Sequence, residues 1–146
     1  MRAVLLDATP SGNDACRQGA DALRRALTEC GCEVESFGLS ELPMAPCMGC
    51  FTCWTGTPGR CPVPDAAEIA ARAVIGSELT AVYSPVRFGV WSWQAKKVLD
   101  RMICLISPHF EASFPTRHKA RYRSYPALLG VGWLPGPDPE AGERKL

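Results

Sequence analysis

The feature that most constrains the fold is an apolar run at the start of the chain, followed by a helical segment and an alternating one. Residues 3–6 read Ala-Val-Leu-Leu, which is typical of a strand buried on both faces of a parallel sheet. Residues 15–30 have the three-to-four spacing of an amphipathic helix. Residues 32–37 alternate like a partly exposed strand. A strand, helix and strand in this order predict an α/β fold with a parallel sheet.

The middle of the chain continues the alternation of helices and strands. We predict that Asp65 caps a helix over residues 65–75 and that residues 79–83 form a third strand. Residues 84–89 read as a loop, and residues 90–105 as a third helix.

The third predicted helix has an apolar side and a basic side. Its spacing places Arg101 and two lysines toward solvent. Trp91 fits stacking on a planar ligand and core packing equally well, whereas packing is favoured for Trp93.

The last apolar run, residues 127–132, predicts a fourth strand. The Pro- and Gly-rich sequence after it cannot continue a strand. We therefore predict one domain over residues 1–134, a charged tail over residues 135–146, and a fourth strand whose outer edge is exposed unless a partner chain covers it.

The charge balance excludes two classes of partner. Sixteen basic and fifteen acidic residues give a net charge of +1, so no bulk attraction to nucleic acid or to a membrane is expected. The first residues resemble neither a signal peptide nor a membrane span, which predicts a cytoplasmic protein. In that reducing compartment, clustered cysteines favour metal-binding or redox chemistry over disulfides.

The strongest chemical signal lies in residues 42–64, an irregular segment too long for an ordinary connection. Its four cysteines, in the pattern C-x2-C-x2-C-x7-C, are Cys47, Cys50, Cys53 and Cys61. Such spacing can place four thiolates around iron or zinc. The alternative is that they are small buried residues or free thiols of the loop.

Two loops are candidates for ligand binding because each follows a predicted strand of the sheet. Residues 9–13 stand where a helix begins and offer hydroxyl, amide and backbone donors, which suits a phosphate. An ordinary capped turn explains them as well, and Asp14 would oppose an anion. The loop after the third strand stands where open α/β sheets bind ligands.

Several motifs together carry a resemblance to a known family. They are PCMGCFTCW at residues 46–54, TPGRC at residues 57–61, SPVRFG at residues 84–89, the Lys97-x2-Asp100-Arg101 pattern, and YPALL at residues 125–129. The sequence resembles the NAD(P)H-dependent FMN reductase family, and its iron-sulfur flavoproteins in particular. This resemblance implies a flavodoxin-like three-layer sandwich, here ending after the fourth strand.

The resemblance also implies cofactors and the residues that bind them. The FMN phosphate would lie on Thr9, Ser11 and Asn13. The isoalloxazine ring would lie against Pro85, Val86, Arg87, Phe88 and Gly89. A 4Fe-4S cluster would be held by Cys47, Cys50, Cys53 and Cys61.

The function implied is that of an FMN-dependent oxidoreductase. A nicotinamide donor, NADH or NADPH, would reduce bound FMN, and electrons would pass to a quinone, a small acceptor or the cysteine-bound cluster. No side chain need act as a general acid, so no catalytic residue is assigned. Relatives form dimers or tetramers, which predicts a homo-oligomer. The rival hypothesis is a non-catalytic α/β binding module stapled by zinc or an iron-sulfur cluster.

Overall fold

The fold is a parallel sheet with helices on both faces, as described by a computed structural model for residues 1–135. The elements in chain order are β1 (Arg2–Asp7), α1 (Asp14–Glu29), β2 (Glu33–Gly38), α2 (Thr52–Thr55), α3 (Ala67–Gly76), β3 (Leu79–Arg87), β4 (Val90–Trp91), α4 (Trp93–Arg101), a 3₁₀ turn (Met102–Leu105), β5 (Phe110–Glu111), β6 (Arg117–His118) and β7 (Ala127–Trp133). The predicted α/β class and its four main strands are confirmed.

The sheet has the order β2-β1-β3-β7, and all three pairings between these strands are parallel. In register, Leu5 of β1 lies opposite Ser36 of β2 and Ala81 of β3, and Ala81 lies opposite Leu129 of β7. In the strand order, β2 therefore lies on one side of β1 and β3 lies on the other.

Successive residues of the central strands face opposite layers, because side chains alternate along a strand. Leu5 and Tyr83 join the core cluster that contains the buried residues of α1. Leu6 and Val82 join the cluster that contains buried residues of α3, α4 and the 3₁₀ turn. These two cores on either side of one sheet make the predicted three-layer sandwich.

The predicted loop after the third strand is partly wrong. β3 continues to Arg87 and so contains Pro85 and Val86, and a two-residue turn at Phe88 and Gly89 returns the chain to β4. Both turn residues have positive φ, 53° and 76°, as a type I′ hairpin turn requires. Pairing with β7 extends the strand through Ser84 and Pro85, and hairpin pairing with β4, which the sequence pattern did not reveal, extends it through Val86 and Arg87.

The prediction for the third helix is also wrong, both in the bounds of the helix and in the exposure of Trp93 and Arg101. Its first two residues belong to β4, Ser92 is the N-cap of α4, and the last turn is 3₁₀. Trp93 is not packed in the core but 67% exposed, with Lys97 Nζ 5.0 Å from the centroid of its ring. Arg101 is not exposed, since only 2% of its side chain is accessible.

The outer edge of the sheet lies at β7, as predicted. Within residues 1–135, no strand pairs with β7 on the side away from β3. Leu128 of this strand is 72% exposed. The predicted tail lies outside the described residues except for Pro135. None of the helices in the described part of the chain is long and apolar enough to cross a membrane.

A buried ion pair ties α4 to the start of α3. Arg101 Nη1 and Nη2 donate to the two carboxylate oxygens of Asp65 at 2.9 and 2.8 Å. The same carboxylate accepts hydrogen bonds from the amides of Ala45 and Ala67 at 3.0 Å each. The predicted cap is wrong in position, because α3 begins at Ala67 and its N-cap is Ala66, although Asp65 still accepts the first helical amide. Burial opposes its ionisation, but the bonds from Arg101 and the two amides outweigh that effect and lower the pKa of Asp65.

Helix α1 approaches the sheet most closely at Gly19. The Tyr83 hydroxyl donates to the Cys16 carbonyl at 2.9 Å. A Cβ placed on Gly19 would lie 2.2 Å from that hydroxyl oxygen and 3.1 Å from the ring carbon bearing it. The glycine therefore lets the tyrosine reach the helix backbone.

We expect Gly19→Ala to lower the free energy of unfolding by about 2 kcal/mol, because overpacking a core commonly costs that much. Urea denaturation would measure the loss. Adding Tyr83→Phe removes the clashing oxygen, so the double variant should lose less than the sum of the two single changes. Strict additivity of the two changes would contradict the proposed contact.

We expect Asp65→Asn to lower the free energy of unfolding by about 3 kcal/mol at pH 7, because it leaves the Arg101 charge buried without its partner. The folded pKa of Asp65 lies below its ordinary value of 3.8, so its contribution is complete above that pH and is lost as pH falls further. Urea denaturation between pH 2.5 and 7 should therefore show a smaller acid loss in the variant. Asp21→Asn, on an exposed pair with Arg24, is the control and should change little.

Candidate functional site

Three segments leave the sheet at one edge, where β1, β2 and β3 end. The Ala8 amide donates to the Tyr83 carbonyl at 2.8 Å, and the Leu39 amide donates to the Asp7 carbonyl at 2.8 Å. Ser40 Oγ donates to the Thr9 carbonyl at 2.5 Å. The loop after β1 is therefore bonded to Ser40, just before residues 42–64, which bear the four clustered cysteines and are called the cysteine segment below. On its other side the loop adjoins the end of β3.

The loop after β1 is held by its own side chains. Thr9, only 2% exposed, donates its amide and its hydroxyl to one carboxylate oxygen of Asp7 at 2.9 and 2.5 Å. Asn13 Oδ1 accepts the Cys16 amide at 3.1 Å and so caps α1. Of the three residues predicted to bind phosphate, Thr9 and Asn13 shape the loop and Ser11 is exposed.

The five residues predicted to lie against a flavin ring form the end of β3 and its hairpin turn. Pro85 is buried within the strand, whereas Arg87, Phe88 and Gly89 are exposed. Ser84 Oγ donates to Ser92 Oγ at 3.0 Å, which ties the end of β3 to the cap of α4. The β3–β4 hairpin therefore extends beyond the end of the sheet, and the hydrogen bond between Ser84 and Ser92 holds the residues that flank it.

Trp91 lies on the core side of this hairpin. It is half-buried and packs against the core cluster. A Cβ on Gly130 of β7 would lie 3.0 Å from its ring. Of the two interpretations considered for Trp91, the structure supports packing.

The four predicted cysteine ligands come together around one small cavity. Cys47, Cys50, Cys53 and Cys61 all line a space of about 60 Å³, together with Met48, Phe51 and Ile103. Cys53 is buried in α2, Cys61 is half-buried, and the other two thiols are exposed. Among residues 1–135, no three or more His, Cys, Asp or Glu side chains lie at the mutual spacing that would hold a single metal ion.

The thiols of this cavity differ in their readiness to ionise. Hydrogen bonds from the Thr52 hydroxyl and amide lower the pKa of Cys50. Burial raises the pKa of Cys53, and the nearby charge of Cys61 raises it further. Thiolates repel one another, so a cationic metal centre would stabilise all four in their ionised form.

Arg101 lines the same cavity and is the residue that sequence reasoning missed. The helical spacing placed it in solvent because its neighbours Lys96 and Lys97 are polar too. The signal that could have found it is its place directly after Asp100 in the Lys97-x2-Asp100-Arg101 pattern, one of the motifs that carry the family resemblance.

The chemistry of the donors present suits a thiolate-bound metal group, although among residues 1–135 no three of them stand at the spacing that holds one metal ion. Four cysteines on one cavity supply a purely sulfur donor set, which suits iron-sulfur clusters and zinc and disfavours magnesium or calcium. The cavity walls are otherwise apolar except for Arg101. The other four cysteines do not line it. Cys16, Cys32 and Cys104 are buried and Cys30 is exposed.

Comparison with known proteins adds independent information. A family model described as NADPH-dependent FMN reductase matches residues 1–129. An iron-sulfur flavoprotein of Methanocaldococcus jannaschii is 33% identical over 76 residues, which are 52% of this chain and 38% of that protein.

Two solved structures share the fold. An NADH:FMN oxidoreductase in its apo form has a TM-score of 0.50 and 17% identity, over 72% of this chain and 52% of that chain. A candidate quinone reductase from Klebsiella pneumoniae has a TM-score of 0.53 and 15% identity, over 70% of this chain and 45% of that chain. The chain thus matches about half or less of the length of each relative. Because the family model covers residues 1–129, the chain belongs to the NADPH-dependent FMN reductase family.

Proposed function

We propose that this protein is an FMN-dependent oxidoreductase in which electrons pass from a nicotinamide donor through bound FMN to a centre held by four cysteines. The observation that carries the proposal is that all four cysteines line one cavity. The segment that bears them begins beside the Thr9 loop, at the sheet edge from which β3 also projects. A flavin bound at that edge would have the thiol centre as a neighbour.

The phosphate of FMN would be bound by the loop after β1. Thr9 and Asn13 position this loop, and exposed Ser11 and the amides beside it remain for the ligand. Gly12, with a φ of 76°, lets the backbone turn so that these amides precede α1. The positive end of the helix dipole favours an anion there, although Asp14 in the first turn opposes it.

The ring of FMN would lie against the end of β3. Pro85 is buried and supports the strand end, Val86 is half-buried there, and exposed Arg87, Phe88 and Gly89 form the turn that would contact the ring. A two-residue hairpin of fixed geometry presents backbone groups without large conformational freedom, which suits the binding of a planar ring.

The four-cysteine centre would be a 4Fe-4S cluster bound by Cys47, Cys50, Cys53 and Cys61. Cys53 would be the anchor buried in α2, while Cys50 stands at the exposed side. When bound, FMN would supply two-electron chemistry with the donor and the cluster would supply one-electron chemistry. The chain's own residues would hold the two groups in place.

The acceptor beyond the thiol centre would be a quinone or another small molecule. A homodimer or homotetramer is the proposed assembly, supported by the open edge of β7 and its exposed Leu128.

We expect anaerobically purified protein to show flavin bands over a broad cluster absorbance, with about four iron and four sulfide per chain. Cys53→Ser should lose the iron and keep the flavin, since it removes only the buried ligand. Cys30→Ser, an exposed thiol at the end of α1, is the matched control and should keep both. A colourless protein with stoichiometric zinc would contradict the proposal and support the metal-stapled binding module.

We expect Ser11→Ala to weaken FMN binding by about 2 kcal/mol, or about thirtyfold, because a hydrogen bond to a charged phosphate is lost. Quenching of flavin fluorescence on titration into apo-protein measures the affinity. Riboflavin, which lacks the phosphate, should bind both proteins equally, and Ser36→Ala on exposed β2 should leave FMN binding unchanged. An equal loss for both flavins would contradict the assignment of Ser11 to the phosphate.

A further inference from the structure

Arg101 joins the two ends of the cysteine segment. Besides its two bonds to Asp65, Nη1 donates to the Ala45 carbonyl at 2.8 Å and Nη2 donates to the Val63 carbonyl at 3.4 Å. Ala45 lies two residues before Cys47, and Val63 lies two residues after Cys61. One guanidinium therefore closes the base of the loop that carries all four thiols.

The fifth donor of Arg101 has no partner in the protein. Guanidinium offers five N–H groups, and four are used in the bonds to Asp65, Ala45 and Val63. Within the described residues, Nε is buried and unbonded, on a side chain 2% exposed that lines the cysteine cavity. Buried N–H groups are nearly always bonded, which implies an acceptor in one of the two cavities that Arg101 lines. The anionic residue of the second cavity, Glu68, is already paired with Arg60 and Arg72, which favours the thiols of the cysteine cavity.

The charge of Arg101 suits the same site. Burial disfavours its charged form, yet the hydrogen bonds that it donates to Asp65 and the negative potential of Cys61 and Cys47 raise the pKa of Arg101. The carboxylate of Asp65 is engaged on the Nη side, which leaves the Nε side for another anionic group. A thiolate-bound iron-sulfur cluster carries such negative charge, and its sulfur atoms accept hydrogen bonds.

We propose that Arg101 is a positioning residue for the four-cysteine centre: its Nη groups hold the ends of the loop together, and Nε–H donates a hydrogen bond to a sulfur of the centre. This inference rests on the proposed function. Reduction adds one electron, and therefore one negative charge, to the centre. A charged donor at its side favours that state and raises the reduction potential.

The first test compares the wild-type protein with Arg101→Lys, which keeps the positive charge and removes the forked donor. Potentiometric titration should show that the reduction potential of the cluster is lower in Arg101→Lys than in the wild-type protein. We expect the ratio of oxidised to reduced cluster at a given potential to rise at least tenfold, which corresponds to about 59 mV for a one-electron couple. Arg60→Lys is the matched control, because Arg60 adjoins Cys61 but is 62% exposed and paired with Glu68. An unchanged potential in Arg101→Lys that still holds its iron would overturn the inference.

The second test uses the wild-type protein, so that it does not depend on how the variant folds. Arginine labelled with 15N at Nε alone should give a weak nitrogen coupling to the reduced cluster by pulsed electron paramagnetic resonance, and Arg60→Lys should retain it. Absence of the coupling in a protein with full iron and sulfide content would overturn the inference. Absence of iron from the wild-type protein itself would instead overturn the proposed function.

Discussion

The thiol site depends on one buried ion pair, that between Arg101 and Asp65. A buried pair is costly to desolvate and is often no more stabilising than apolar residues of the same size. This pair makes further hydrogen bonds: Asp65 accepts from two backbone amides, and Arg101 donates to two backbone carbonyls. All four partners lie in residues 45–67, which have little regular structure of their own. The pair therefore fixes a conformation that apolar packing alone would leave undetermined.

The position of the two loops proposed to bind FMN follows from strand order. The chain passes from β1 outward to β2 and then back across the sheet to β3, so the loops after β1 and β3 diverge at the point where the order reverses. Open α/β sheets bind ligands in the crevice that such a reversal creates. The segment that bears the four cysteines follows β2 and therefore starts at the same edge of the sheet as this crevice.

Sequence patterns predicted what depends on burial along one element. The four main strands, α1 and the cysteine cluster follow from apolar runs, helical spacing and the grouping of thiols. The patterns failed where distant residues decide the structure. β3 is lengthened by its hairpin with β4, and Arg101 is buried because Asp65, 36 residues earlier, supplies its counter-charge. Trp93, at the start of a helix, is 67% exposed, with Lys97 Nζ 5.0 Å from the centroid of its ring.

Backbone strain is concentrated at the two parts of the proposed site. Among residues 1–135, the non-glycine residues with positive φ are Phe51 and Phe88, and bulky side chains rarely adopt that conformation. Phe88 turns the hairpin at the end of β3. Phe51 is the N-cap of α2, and its reversal lets Cys53 point into the core while Cys50 remains at the surface. Such conformations cost free energy. The hairpin turn accounts for that of Phe88, so the conformation that favours a functional explanation is that of Phe51, in the segment that bears the cysteines.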